Sequence, residues 1–193
     1  MPGLAPPLTD ERALLLSYVA HQRQGVRYAA YGLTDEQARL APLASSLSIG
    51  GLLKHLADME RGWIDMVLQR RPGSREERQA SYGDNFRLEP GDTLAGLLAR
   101  YAEVAVETES VISGISDLDE AVPVPKGVPW FPADVDAWSV RWVLLHLVEE
   151  TARHAGHADI IRESIDGATM YELMAAAESW PDTDWLKAWK PTR

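Results

Sequence analysis

The 193-residue chain contains no cysteine. Disulfides, cysteine-based zinc knuckles and a protein thiol nucleophile are excluded at once, and any thiol chemistry must use a thiol supplied from outside. Cations are scarce too: 19 Lys and Arg stand against 29 Asp and Glu, a formal net charge of −10. Phosphate-backbone binding needs clustered Lys and Arg, so nucleic acid is a poor partner. No apolar run approaches the roughly 20 residues of a membrane span. The start, Met1-Pro2-Gly3-Leu4-Ala5-Pro6-Pro7, has neither a basic n-region nor an apolar h-region. Neither a secretory signal nor a membrane partner is therefore expected, and the expected compartment is the cytoplasm. Internal repeats and low-complexity tracts are lacking as well.

What is present suits a folded globule. A hydrophobic share of 46% supports a real core, and 25% charged residues suits a soluble surface. One domain over residues 1–193 is expected, with its core at about 9–167 and a C-terminal helix and Trp-rich tail at 168–193.

Apolar periodicity and capping signals mark four long helices. The first opens at Thr9, read as N-cap, with acids in its first turn; it carries Leu15, Val19, Gln22 and Val26 on one stripe and stops at Gly32. Thr34 to Gln37 has capping-box spacing and predicts a short turn before Pro42. Ser48 caps a second helix over about 49–69, with Leu52, His55 or Leu56, Met59, Trp63 and Val67 inward, and the Pro72-Gly73 pair breaks it. The polar stretch to Asp92 reads as a crossover connection. Thr93 opens a third helix that ends near Gly114. Five Pro or Gly between Ser116 and Ala137 predict a long loop, with a weak strand or two around Val122–Val128. Ser139 caps the fourth helix and Gly167 stops it. Thr169 starts a short fifth helix to about Glu178, and the tail is expected to fold back on the body. The pattern describes an all-α helical bundle whose long links relax strict up-and-down order.

The fourth helix carries a conflict. Its inward stripe is Val143, Leu147, Glu150, His154, His157, Ile161 and Ile165, aliphatic at both ends and ionisable in the middle. An unpaired buried carboxylate costs several kcal/mol or more unless it is neutralised, hydrogen-bonded or bound to a metal. Glu150 and His154 are about 6 Å apart along the axis and about 40° around it, so their side chains converge. His146 and His154 are about 12 Å apart along the axis, too far to chelate one ion. His55 faces the same core from the second helix. Together these three give a candidate metal site with open positions, as catalytic rather than structural metals have. Asp58, one turn after His55, is a candidate fourth ligand or hydrogen-bond acceptor. Taken singly, His55 also reads as a hydrogen-bonded core histidine, and Glu150–His154 as a buried ion pair. His146 reads as structural or as support for a ligand, His21 as surface, and Trp63, Trp142 and Tyr18 as core.

Two segments, Gly51-Leu52-Leu53-Lys54-His55-Leu56-Ala57-Asp58-Met59-Glu60-Arg61-Gly62-Trp63 and Leu145-His146-Leu147-Val148-Glu149-Glu150-Thr151-Ala152-Arg153-His154-Ala155-Gly156-His157-Ala158-Asp159, resemble the DinB superfamily. The similarity is closest to its branch once called domain of unknown function 664, and it covers about Asp10 to Gly167. The resemblance implies a four-helix bundle in up-down-down-up order with a divalent metal in a core cleft. The family's helix-2 histidine ligand matches His55. Its later His-x-x-x-His pair stands here as Glu150-x-x-x-His154, similar to the Glu of mycothiol-using maleylpyruvate isomerases. Many relatives have Gln where this chain has His157.

The resemblance further implies an enzyme that joins a low-molecular-weight thiol, such as mycothiol or bacillithiol, to a small-molecule electrophile. A divalent metal is the expected cofactor, zinc before nickel, and a homodimer is the expected assembly. A metal with an open position can hold the sulfur as thiolate, although a free thiol has a pKa of about 8.5. His157 and Asp58 are the candidate proton-handling residues, and Arg162 the candidate to meet a substrate carboxylate. Only 26 residues follow Gly167, so a separate thiol-binding domain is not expected there, which argues against the isomerase reaction. Two readings compete: an Fe(II) oxygen enzyme, because two His and one carboxylate suit that chemistry, and a non-enzymatic metal- or ligand-binding bundle.

Overall fold

The computed structural model describes residues 3–70 and 85–191, so the middle of the expected crossover connection lies outside the described residues. Among the described residues, six helices and one two-stranded sheet follow in the order α1 (Glu11–Ala30), α2 (Asp35–Ala38), α3 (Ile49–Val67), α4 (Leu94–Gly114), β1 (Ala121–Pro123), β2 (Ala137–Ser139), α5 (Val140–Asp166) and α6 (Met170–Ala177). Among the described residues, no helix is long and apolar enough to cross a membrane.

Local chemistry sets the boundaries. Ser48, Thr93 and Ser139 each accept a hydrogen bond from the backbone N–H three residues on, a cap that contributes about 1 kcal/mol. Asp10, not Thr9, caps α1, because its carboxylate reaches the Ala13 N–H. Thr34 and Gln37 form the expected capping box around α2. Gly167 ends α5 at φ +77, a left-handed residue that glycine adopts without Cβ strain. Further donors at the start of α5 are met by strand-side carbonyls, Val140 N–H by Glu120 and Arg141 N–H by Leu118.

Side-chain contacts give the helix directions. Arg141 at the start of α5 pairs with Glu11 at the start of α1, and Arg162 near the end of α5 donates to the Ala29 and Tyr31 carbonyls at the end of α1. These two helices therefore run parallel. α3 opposes them: Val19 clusters with Trp63, Ile64 and Val67 at its end, while Val26 and Ala29 cluster with Ile49, Leu52 and Leu53 at its start. α4 runs with α3, since Gly50 lies near Leu97 and Arg70 pairs with Glu107. The order is up-down-down-up, and the parallel α3–α4 pair is what requires the long connection between them.

Two apolar clusters fill the bundle, one at each end, and Met59 touches both. Between α1, α3 and α4 lies a polar inclusion that periodicity did not signal. Arg23 donates to both oxygens of Glu60, at 2.9 and 2.6 Å, and Thr108 donates to Glu60 at 2.5 Å. All three are buried, and the bidentate geometry offsets the desolvation that a lone buried charge could not.

The expected weak strand near Val122 is β1, and its antiparallel partner β2 places Val122 opposite Trp138. The pairing anchors the loop between them against the start of α5. The tail folds back as expected: Trp180 and Trp189 pack against the cluster of Tyr28, Leu173 and Met174. Trp185 is the exception and points outward.

Candidate metal centre and its cleft

His55, Glu150 and His154 meet where the two apolar clusters join, each offering one ligand atom within 4.8 Å of the others. His154 Nε2 lies 3.3 Å from Glu150 Oε1, and His55 Nε2 lies 3.5 Å from the same oxygen. A tetrahedral ion with bonds of roughly 2.1 Å spaces its ligand atoms about 3.4 Å apart. Two of the three edges already have that length. The Nδ1 atom of His55 is also buried without a hydrogen-bond partner, so the ring is not a satisfied core histidine. The donor set therefore fits a divalent cation.

Electrostatics at the centre follow from these contacts. The imidazoles of His154 and then His55 hold the Glu150 carboxyl far below the usual carboxylate range, against the opposing pull of partial burial. Glu150 is thus an anion facing two nitrogens, the charge state a metal ligand needs.

Each ring is held from behind. His154 Nδ1 lies 3.3 Å from His157 Nδ1; one nitrogen donates and the other accepts, which orients the His154 ring. His55 stacks on Phe86, with centroids 4.1 Å apart and planes 19° apart. That stack depends on a close approach: a Cβ on Gly51 would stand 2.3 Å from the Phe86 carbonyl oxygen, and one on Gly50 would stand 2.7 Å from Leu88. The two glycines at the start of α3 let the 86–88 segment lie against the helix. Lys54 fastens the same segment by donating to the Arg87 carbonyl at 2.6 Å.

The centre opens on a cleft of about 1380 Å³. His55 and Glu150 border it at one end, and the β1–β2 loop, Trp63, Trp138 and Trp142 border the rest. Trp138 stacks on Trp142 (4.9 Å, 9°), and Trp142 stacks on His146 (5.3 Å, 7°). Trp63 meets all three edge-on or tilted.

The remaining candidates are placed as follows. His157 touches His154 but is outside the three-residue group. Asp58 borders the cleft, yet its carboxylate is paired with Arg100 of α4 and it too is outside the group. Arg162 does not reach the cleft. It is fully buried, donates to the Ala29 and Tyr31 carbonyls at 2.8 and 2.7 Å, and pairs with Asp166 at 3.0 Å. Its guanidinium joins α5 to α1 and is not free to meet a substrate carboxylate, which corrects the sequence expectation. Tyr18 and Trp142, expected in the core, are 45% and 39% exposed. His146, read as structural, is the last rung of the ring stack.

Sequence reasoning missed Phe86, which lies in a polar connection with no period. The ring stack was readable in part: Trp142, His146, Glu150 and His154 occupy one i, i+4 row of α5, and Trp138 stands four residues before it in β2.

The family model described as Mycothiol-S-transferase matches residues 14–167. Among solved structures, the crystal structure of a conserved protein from Enterococcus faecalis has a similar fold. Its TM-score is 0.59 at 15% identity, over 83% of this chain and 100% of that one. No curated protein sequence matches the chain significantly.

Proposed function

The chain belongs to the mycothiol-S-transferase family, and from that premise we propose that it is a metal-dependent thiol S-transferase. In this reading His55, Glu150 and His154 hold a divalent cation, zinc before nickel, and the cleft admits a low-molecular-weight thiol such as mycothiol together with a small electrophile. The observation that carries it is the convergence of three metal-ligating side chains from α3 and α5 at the border of a large cleft. The whole chain is taken as one domain built around that centre.

A cation held there supplies Lewis acidity that keeps a thiol sulfur deprotonated near neutral pH. The chain's own groups do the rest. Glu150 remains ionised and holds both imidazole Nε2 atoms toward one point. His157 fixes the rotation of His154 through the Nδ1–Nδ1 contact. Phe86 closes one face of His55, shielding that ring from water. In the reaction the thiol loses its proton to solvent, the sulfur lone pair forms the new carbon–sulfur bond, and the leaving group departs with the electrons of the bond it had to that carbon.

Incubation with zinc, mycothiol or bacillithiol, and chlorodinitrobenzene or monobromobimane is expected to give conjugate above the uncatalysed rate. Absence of turnover with every low-molecular-weight thiol refutes the reading. The same proposal places the protein in the cytoplasm, where low-molecular-weight thiols are kept reduced, and assigns it a homodimer, which sedimentation tests.

A further inference from the structure

We propose that the ring stack of Trp138, Trp142 and His146 is the binding wall for the electrophile and that it selects a neutral, planar aromatic molecule. Naming the guest an electrophile rests on the transferase reading; the wall itself is argued from geometry.

The first indication is register. Trp142, His146 and the Glu150–His154 pair share one i, i+4 row of α5, each step of which advances about 6 Å, and Trp138 in β2 stacks on the Trp142 end of that row. His146 is one step from Glu150, so a flat molecule at the last rung stands next to the candidate centre.

The second is exposure. Trp142 is 39% exposed although rings contact it on several sides, and it borders the cleft, whereas Trp63 behind it is 7% exposed. A tryptophan serving only the core has its large apolar surface removed from water. Here a buried indole supports an accessible one, and aromatic faces favour offset or edge-on partners of their own kind. The loop that completes the cleft is pinned in turn, since Phe131 packs on Trp63 and Trp138.

The third is space. Pockets for one small molecule measure about 300–1,000 Å³, and this cleft holds about 1380 Å³. It has room for a thiol and a second molecule side by side.

The fourth is charge. Two cationic side chains border the cleft among the described residues, and both are engaged: Arg70 by Asp65 and Glu107 at 2.9 and 2.7 Å, and Lys126 by Asp136 at 2.9 Å. Glu150 adds a carboxylate at the inner end. Away from the candidate centre, whose cation would itself attract an anion, a guest on the wall meets no uncommitted counter-charge among these residues, so the wall favours a neutral guest.

The test is equilibrium binding, which needs neither turnover nor thiol. The full chain, cleared of metal with a chelator so that no cation can bind a carboxylate, is titrated calorimetrically with 1,3-dinitrobenzene, a neutral planar ring without a leaving group, and with its carboxylate-bearing analogue 3,5-dinitrobenzoate. The expected results are measurable binding of the neutral ring, at least about tenfold weaker binding of the benzoate, and weakening by up to about tenfold in Trp142→Ala, as an aromatic contact predicts. Trp142→Phe is expected to recover most of the loss. Equal binding of the two probes overturns the proposal, as does no binding of either, or full affinity in Trp142→Ala. If Trp142→Ala does not fold, the comparison of the two probes on the unmodified chain decides alone. Conjugation of small aliphatic electrophiles without binding of dinitrobenzene refutes the wall and leaves the transferase reading standing. Binding of dinitrobenzene without any conjugation does the reverse.

Discussion

Gly51→Ala and Gly62→Ala make the same chemical change in the same helix and are expected to act with opposite signs. In a helix, Gly to Ala stabilises by up to about 1 kcal/mol through reduced backbone entropy of the unfolded chain. At Gly62 a new Cβ meets nothing within 4 Å, so that gain should appear in full. At Gly51 the Cβ would stand 2.3 Å from the Phe86 carbonyl oxygen and 3.0 Å from Ser48 Oγ. A backbone carbonyl cannot rotate away as a long side chain can, so the 86–88 segment must shift. Overpacking of this kind costs about 1–3 kcal/mol, which leaves a net loss of up to about 2 kcal/mol after the entropic gain. For a chain of this size each kcal/mol moves Tm by about 2–4 °C. Gly51→Ala should therefore lower Tm by up to about 8 °C, while Gly62→Ala should raise it by up to about 4 °C. The same shift removes Phe86 from the His55 ring, a contact worth about 0.5–1.5 kcal/mol, so zinc affinity in Gly51→Ala should fall by up to about tenfold. Scanning calorimetry and a competitive zinc titration measure both quantities. If Gly51→Ala melts as high as Gly62→Ala and binds zinc like the parent, the account of how His55 is positioned is wrong.

Glu150→Ala and His154→Ala should each reduce bound metal to near background by elemental analysis; full stoichiometry in both variants would falsify the ligand assignment. Arg162→Ala leaves the Asp166 carboxylate without its cation and two carbonyls without their donor in the α1–α5 seam, so it should cost about 3–5 kcal/mol in urea unfolding, while metal bound per folded molecule stays unchanged. Asp159 has a buried, unpartnered oxygen, and burial, aided by the nearby Glu163, pushes its carboxyl up to about 6. Its folded form holds the proton more tightly than the unfolded chain does, so stability falls as pH rises from about 4 to about 6. Asp159→Asn should consequently raise Tm more at pH 7.5 than at pH 4, and an equal gain at both pH values contradicts the assignment.

The parts of this fold legible in the sequence are those fixed by neighbours within one helical turn. Ser48, Thr93, Ser139 and Gly167 each mark a boundary because a cap or a stop acts over three or four residues. The candidate centre was legible for a related reason: Glu150 and His154 conflict with the apolar stripe they interrupt, and that conflict can be read without knowing what lies opposite. Arg23 and Glu60 lie off the apolar stripes read for their helices and are buried because each answers the other's charge, 37 positions apart, a pairing of which periodicity carries no sign. Arg162 shows the opposite error. It lies two turns beyond His154 and looked available, yet two carbonyls at the end of α1 claim its guanidinium, and no local signal reveals a distant acceptor.

The cleft follows the same logic one level higher. Trp138, Trp142 and His146 precede Glu150 at regular four-residue steps, so their sharing a face was readable. The exposure of Trp142 was not, because whether an aromatic stripe is core or wall depends on what covers it. Here the covering element is the loop between β1 and β2, whose Pro and Gly content gives it no period to follow. The strand pairing of Val122 with Trp138 decides the outcome: it ties the loop back at its two ends and leaves the space between loop and helix open. A helix alone would present Trp142, His146, Glu150 and His154 to solvent as a ridge. Only the strand-anchored loop turns that ridge into one side of an enclosure that ends at the Glu150–His154 pair.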